Sequence, residues 1–321
     1  MLQLPDFIQK QIIIVEPRVG SGISDLKFKN ENVVLYRDGK IVNQVSIHKV
    51  FGIFLIGEMT ITSVLIKKVK KAGVSIFMLN SRYEEYASIC SQAEGNYILR
   101  NHQYHFSDEL NFAKNIVKNK AYNQLALLQE EYPAKFKKQS RISAYKEVIS
   151  KVDAATSLNQ LLGIEGSLSK SFFKQYFKEM KWYKRMPRSK IDSMNVLMDI
   201  GYNLLFNFTD SLLRLHGFDT YKGIYHQLFF QRKSLSCDIM EPFRCVIDGA
   251  ILKAFHLGQI DEKDFLFSKG QYFLSFEQSR KYMKIFLDAL MDNKEEIFAY
   301  VKEFYFCMLN QKGDYPFYKF K

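Results

Sequence analysis

The spacing of apolar residues changes once along this chain, near residue 94, and this change limits the folds that the chain can adopt. Before that point, apolar residues occur in short runs rich in Ile, Val, Phe and Tyr, such as QIIIVEP, NVVLYRDGKIVNQVSI and VFGIFLI. Runs of this kind predict β-strands, and Asp38-Gly39 inside the second run predicts a hairpin turn. The segment TITSVLIKKVKKAG has helical spacing, so we expect one helix among the strands.

After residue 94 the apolar residues follow the helical period instead. FSDELNFAKNIVKNKAYNQLALLQEEYP and SAYKEVISKVDAATSLNQLLGIEG both show this spacing, and strand signals disappear. A chain of 321 residues is long enough for two domains of ordinary size. We therefore predict an α+β fold, with a small β-rich N-terminal domain over residues 1–94 and a larger all-α domain of seven to nine helices over residues 95–321.

The formal net charge of +12 favours a polyanionic partner, either nucleic acid or an acidic membrane surface. Residues 170–190 contain eight basic residues and one acidic residue, so the charge is concentrated there. Five of the basic residues recur at steps of three or four, which predicts one cationic ridge on a helix: Lys170, Lys174, Lys178, Lys181 and Arg185. With Arg188, this stretch fits a track for a phosphate backbone. The alternative is a solvated helix face.

Membrane insertion and disulfide bonding are not indicated. The N-terminal residues lack the pattern of a signal peptide, and the longest apolar run, Val50 to Gly57, is too short to cross a bilayer. The four cysteines have no CxxC spacing, which indicates reduced thiols rather than a zinc site. We therefore expect a cytoplasmic protein that does not bind membranes.

Glu165 interrupts an apolar helical stripe. It shares one predicted helix face with Leu158, Leu161, Leu162, Leu168 and Phe172. A carboxylate on such a face must be neutralised, paired or bound to a cation, because burial of a bare charge is very costly. Gly163 and Gly166 remove side chains beside it, which predicts clearance for a large ligand such as a DNA backbone. An ordinary buried ion pair with Lys or Arg is the alternative.

Further polar residues that could join Glu165 follow in GIYHQLFFQ and RKSLSCDIMEPFRCVID. His226 lies in the first segment, and Asp238 and Glu241 lie three residues apart in the second, with Arg244 one turn later. One His with several carboxylates suits a hard or borderline divalent cation such as Mg²⁺ or Mn²⁺. Taken alone, the two acids could instead stabilise the start of a helix.

Several segments in this order resemble the CRISPR-associated integrase that inserts new spacers, CRISPR-associated protein one. The family patterns LLGxEG, GYxLL, GxxH and MEPFR correspond here to LLGIEGSLSKSFF (161–173), NVLMDIGYNLL (195–205), GIYH (223–226) and RKSLSCDIMEPFRCVID (232–248). Upstream, RNHQYH (100–105) and IVKNKAYNQ (116–124) also match. The resemblance covers most of the helical domain. The β-rich part agrees with the family in its general strand pattern but contains no family motif.

The resemblance implies a β-rich dimerisation domain and a helical catalytic domain that binds one divalent metal, Mg²⁺ or Mn²⁺. The metal ligands that it implies are Glu165, His226 and Glu241. Asp238 corresponds to a secondary acid near the metal, and Arg244 to a basic position suited to a DNA phosphate. The implied assembly is a homodimer that binds double-stranded DNA, with CRISPR-associated protein two bridging two dimers.

The expected activity is that of a metal-dependent DNA integrase and endonuclease. The 3′-hydroxyl of a prespacer would attack a phosphodiester of CRISPR repeat DNA, a transesterification that needs no nucleotide cofactor; accordingly, no GxxxxGK[ST] loop is found. One alternative is a nuclease that hydrolyses branched DNA without integration. The other is a non-catalytic nucleic-acid-binding scaffold, in which the acids stabilise helix ends.

Overall fold

The computed structural model describes residues 3–16, 24–80, 83–91, 93, 95–180, 182–226, 230–311 and 313–320. A short helix, α1 (Leu4–Ile8), begins the chain, and one further helix, α2 (Ser63–Lys71), lies among the strands. The strands of this part are β1 (Gln11–Val15), β2 (Ser24–Lys29), β3 (Asn32–Arg37), β4 (Lys40–Ser46), β5 (Val50–Ile56), β6 (Thr60–Ile61), β7 (Ser75–Leu79) and β8 (Glu85–Ile89).

These strands form two four-stranded sheets, with strand orders β1-β5-β7-β8 and β4-β3-β2-β6. In the first sheet β1, β5 and β7 are parallel and β8 is antiparallel to β7. The predicted hairpin turn is confirmed: Asp38 and Gly39 join β3 to β4 with φ values of 49° and 75°, the left-handed conformation that such a turn requires.

Strand β5 is buried on both faces, which explains its continuous apolar sequence VFGIFLI. Ile53 and Leu55 pack toward the second sheet, whereas Phe51 faces the helical part of the chain. There the Phe51 ring lies 5.1 Å from the ring of Phe7 and 5.3 Å from that of Phe208. The sheet is therefore packed directly onto the helices that follow.

The second part of the chain is mainly helical. Its helices are α3 (Tyr97–Tyr104), α4 (Glu109–Glu131), α5 (Lys138–Asp153), α6 (Leu158–Tyr176), α7 (Ser193–His216), α8 (Ser234–Met240), α9 (Arg244–His256), α10 (Phe276–Asp292) and α11 (Lys294–Asn310). A hairpin of two strands, β9 (Phe265–Ser268) and β10 (Gln271–Leu274), interrupts them and was not predicted. Its turn, Lys269-Gly270, has φ values of 52° and 78°. The second part is therefore not entirely helical, although the α+β class holds.

The predicted boundary at residue 94 falls on a residue outside the described ones, so the division into residues 1–94 and 95–321 stays a prediction. The last N-terminal strand ends at Ile89, and α3 begins at Tyr97. No helix within the described ranges is long and apolar enough to span a membrane.

Residues 315–320 run along α4 and attach the end of the described chain to it. Asn119 exchanges hydrogen bonds with the backbone of Tyr318, at 2.5 Å and 2.8 Å. One turn further along α4, the Asn123 amide oxygen accepts from the Phe320 N–H at 2.9 Å, while its nitrogen donates to the Pro242 carbonyl at 2.9 Å. Asn123 therefore joins α4 to the turn that contains Glu241.

Candidate active site

Glu165 and Glu241 converge on one buried lysine. Lys120, on α4, donates a short hydrogen bond to Glu165 Oε1, and its Nζ lies 2.8 Å from Glu241 Oε2. The exposed fractions of the three side chains are 9%, 14% and 3%. Two carboxylates from distant parts of the chain thus share one positive charge in a nearly dry environment.

Glu165 lies on the apolar face of its helix, as predicted. Ser157 begins it as an N-cap, with its side chain accepting from the Gln160 N–H, and Leu161 and Phe172 are buried on the same face as Glu165. The surface beside the acid is open, because a Cβ added at Gly163 or Gly166 would meet no heavy atom within 4 Å. Glu165 does form the buried ion pair that the sequence left open as an alternative, and its partner is Lys120. That alternative did not include a second carboxylate, Glu241, on the same ammonium.

Asp238 holds the loop of His226 rather than the start of its own helix. Its carboxylate accepts the backbone N–H groups of Ile224, Tyr225 and His226 at 2.7, 3.0 and 2.8 Å. It also lies 2.7 Å from His226 Nδ1. In the tautomer that matches this contact, Nδ1–H donates to the carboxylate and Nε2 is the nitrogen that could bind a cation. The helix-capping alternative for Asp238 is therefore wrong.

Gly223 allows this loop to pack closely. A Cβ at that position would lie 2.5 Å from Ser234 Cβ and 2.7 Å from the His226 carbonyl oxygen, so no larger residue fits without movement. The same loop presents Tyr225, whose hydroxyl donates to Glu165 Oε2 at 2.8 Å. The loop therefore contacts Glu165 through Tyr225, and Asp238 holds the His226 ring of the same loop.

Arg244 contacts Glu241 from the other side. Its Nη2 lies 2.9 Å from Glu241 Oε1, and its guanidinium lies over the Tyr202 ring at 4.7 Å. Burial alone would raise the pKa of Glu241, but Arg244 and Lys120 outweigh burial and hold that pKa well below its usual range. Glu241 therefore remains a carboxylate, and it contacts cations rather than the first turn of α8.

Tyr202, whose ring lies against Arg244, donates its hydroxyl to Asp248 Oδ1 at 2.6 Å. Burial raises the pKa of Asp248 to about 7, although Tyr202 and Arg244 favour its ionised form. A further buried carboxyl group, Asp248, thus supports the Tyr202 ring on which Arg244 lies.

The ligand chemistry fits a divalent cation. Glu241 Oε2 is buried, and within the described part of the chain its partner is the Lys120 ammonium at 2.8 Å. Two carboxylates and an imidazole with an available nitrogen are donors that Mg²⁺ and Mn²⁺ accept. Among the described residues, the three His, Cys, Asp or Glu side chains whose ligand atoms lie mutually within 4.8 Å are Glu131, Glu179 and His256 instead. That cluster is largely exposed, whereas Glu165 and Glu241 are largely buried and both contact the Lys120 ammonium.

Sequence reasoning assigned no role to Lys120 or Tyr225. Both lie inside the segments that carried the resemblance, Lys120 in IVKNKAYNQ and Tyr225 in GIYH. Helical spacing places Lys120 on α4 but cannot show that α6 and the Glu241 turn pack against that face. The available signal was that Lys120 follows Ile116 and Val117 by four and three residues, which places it on their side of the predicted helix.

The predicted cationic ridge is wrong as one continuous helix face. Helix α6 ends at Tyr176, because Trp182 folds back with its ring 5.6 Å from Phe173 and 5.7 Å from Phe177. Lys170 and Lys174 are exposed on α6, and Lys178 and Arg188 are exposed beyond it. Arg185 is largely buried and pairs with Asp199 at 2.5 Å. Lys181 lies outside the described residues.

Comparisons with known proteins agree on one family. The profile of the family described as CRISPR associated protein Cas1 matches residues 20–288. A protein from Thermodesulfovibrio yellowstonii, named CRISPR-associated endonuclease Cas1 1, is 25% identical over 254 residues, which cover 75% of this chain and 80% of that protein.

Two solved structures share the fold over nearly the whole chain. A structure titled Cas6-RT-Cas1–Cas2 complex matches with a TM-score of 0.76 and 25% identity, over 95% of this chain and 36% of that longer chain. A casposase bound to integration product matches with a TM-score of 0.79 and 21% identity, over 96% of this chain and 94% of the casposase. The likeness to the casposase confirms the α+β fold.

Proposed function

The chain belongs to the CRISPR-associated Cas1 family, and on that premise we propose that it is a metal-dependent DNA integrase and endonuclease of spacer acquisition. It would join prespacer 3′-hydroxyl ends to CRISPR repeat DNA by transesterification. The observation that carries this proposal is the convergence of Glu165 and Glu241 on one buried cation, beside a histidine that Asp238 orients. Curated relatives bear the name of CRISPR-associated endonucleases.

In this proposal Glu165, His226 and Glu241 are the ligands of one divalent metal, Mg²⁺ or Mn²⁺. Such an ion withdraws electron density from the scissile phosphate and offsets the charge that develops on it. Asp238 acts through His226: it holds Nδ1 of the ring, which leaves Nε2 as the nitrogen for the metal. Tyr225 orients Glu165 in the same way, through its hydroxyl.

The basic residues would hold DNA around this site. Lys170, Lys174, Lys178 and Arg188 are exposed and available to flanking phosphates. Arg244 is 28% exposed and bound to Glu241, so it is suited to the phosphate nearest the metal. We propose that Arg185 instead stabilises the segment after α6 through its ion pair with Asp199. Lys181 stays a prediction.

The assembly that we propose is a homodimer formed through residues 1–94, with residues 95–321 as the catalytic metal- and DNA-binding domain. A Cas2 partner would bridge two dimers, in keeping with the relative whose title names a Cas1–Cas2 complex. The substrate is double-stranded DNA, namely prespacer and CRISPR repeat. We place the activity in the cytoplasm, where both DNA substrates are found.

The test is strand joining with the full chain, its Cas2 partner, a prespacer duplex and a supercoiled repeat plasmid in Mn²⁺. We expect Glu165→Ala, His226→Ala and Glu241→Ala each to lower joining at least a hundredfold, because each removes one ligand. Glu147→Ala is the matched control, since Glu147 forms an exposed pair with Lys151 on α5. Undiminished joining by Glu165→Ala refutes the site, and nicked products without joined strands favour the hydrolytic alternative.

A further inference from the structure

Lys120 is the cation that the described structure places between both glutamates of the candidate active site. Its side chain is 9% exposed, and it reaches Glu165 and Glu241 together. Both carboxylates lie at ion-pair distance from the ammonium, so its positive charge is compensated despite its burial. A lysine is rarely buried without such partners.

The ammonium and a divalent metal would compete for the same oxygens. Glu241 Oε2 faces Lys120 Nζ at 2.8 Å, and Glu165 Oε1 is the acceptor of the short bond from the same group. Two positive charges within one set of buried carboxylates repel each other strongly, because little water screens them. We therefore expect metal entry to displace Lys120 from at least one glutamate.

We propose that Lys120 is a resident counter-cation that competes with the metal for Glu165 and Glu241. This inference rests on the metal site proposed above. Without metal, Lys120 neutralises two carboxylates that would otherwise repel each other, and so keeps them close together. When metal is present, the ammonium moves aside on its flexible stem.

Two features make such an exchange possible without disturbing the fold. Arg244 keeps its contact with Glu241 Oε1, so this acid remains anchored when Oε2 is released. Tyr225 does the same for Glu165 Oε2. Each glutamate therefore has one oxygen held by a fixed partner and one oxygen held by Lys120.

The experiment uses the full chain without DNA and measures Mn²⁺ affinity by isothermal titration and unfolding by circular dichroism. Lys120→Met removes the charge at nearly constant volume. We expect it to lower the Tm of the metal-free protein and to tighten Mn²⁺ binding by about tenfold or more, which corresponds to about 1.4 kcal/mol. Lys118→Met is the matched control on the same helix, because Lys118 pairs with Asp153 and not with the two glutamates. It should leave Mn²⁺ affinity unchanged.

Equal or weaker Mn²⁺ binding by folded Lys120→Met would overturn the inference, since Lys120 would then not compete with metal. If Lys120→Met does not fold, Lys120→Gln removes the charge while keeping a donor, and the same tightening is required of it. The two proposals fail differently. Mn²⁺ binding that survives Glu165→Ala refutes the metal site, whereas binding lost in Glu165→Ala but not tightened by either Lys120 variant refutes the competition alone.

Discussion

Gly163 and Gly166 provide a test in which stability and activity should move in opposite directions. Both lie inside α6, where glycine is less favourable than alanine by about 0.5–1 kcal/mol. A Cβ at either position meets no heavy atom within 4 Å, so no steric term offsets this gain. The double variant Gly163→Ala/Gly166→Ala should therefore be more stable by about 1–2 kcal/mol, with a Tm raised by about 2–4 °C.

Strand joining should fall in the same variant. If a DNA backbone approaches Glu165 across this open surface, two methyl groups displace it from the glutamates. A misplacement of about 1 Å is enough to lower a rate by about a hundredfold. The assay is the joining reaction described above, with circular dichroism melting of the same preparations.

Ser143→Ala on α5 is the matched control, because Ser143 is exposed on another helix and also gains helix propensity. It should gain stability without losing activity. A stabilised glycine variant that joins strands at the normal rate would refute the idea that DNA passes over Gly163 and Gly166. A lower Tm would instead refute the assumption that these positions are unstrained helix interior.

Three further predictions concern groups around the site. Tyr225→Phe removes the hydroxyl that donates to Glu165, so joining should fall about tenfold, as expected for a hydrogen bond worth about 1–1.5 kcal/mol, with unchanged far-UV circular dichroism; an unaltered rate would show that Glu165 needs no such support. Asp248 has a folded-state pKa of about 7 and an unfolded-state pKa of about 3.9, so the folded protein binds the extra proton between these values and loses stability as pH rises through that window. Asp248→Asn should flatten the dependence of Tm on pH between about 4 and 7, and an identical slope in both proteins would contradict this assignment. Asn123→Ala frees the Phe320 N–H and one carbonyl of the Glu241 turn, so urea unfolding should show a loss of about 1–3 kcal/mol together with weaker Mn²⁺ binding, whereas a loss of stability alone would confine the role of Asn123 to packing.

Local features of this protein were predictable because they depend on residues close together in the chain. The Asp38-Gly39 turn follows from the positive φ that a tight hairpin needs, and it is found as predicted. The position of Glu165 on an apolar helix face follows from the helical period alone. The alternation between strand-forming runs and one helix in the first ninety residues follows from the same kind of short-range pattern.

Predictions that extended a local pattern too far were wrong. The basic residues from Lys170 to Arg185 have helical spacing, but packing of Trp182 on Phe173 and Phe177 ends the helix at Tyr176. The alternative role of Asp238 at a helix start relied on local spacing in the same way, but its carboxylate accepts from the backbone of the His226 loop. In both cases a contact between separate segments outweighs the local preference.

The amino-acid sequence by itself therefore determined the change from a strand-rich to a mainly helical part and the family to which the chain belongs. It also singled out the acids and the histidine that can form a site. Only the tertiary structure decided that Lys120 lies between Glu165 and Glu241 and that Tyr225 supports Glu165. The physical reason is that a charge is neutralised by whatever lies within a few ångströms, and for α4, α6 and the Glu241 turn that distance is set by how the helices pack.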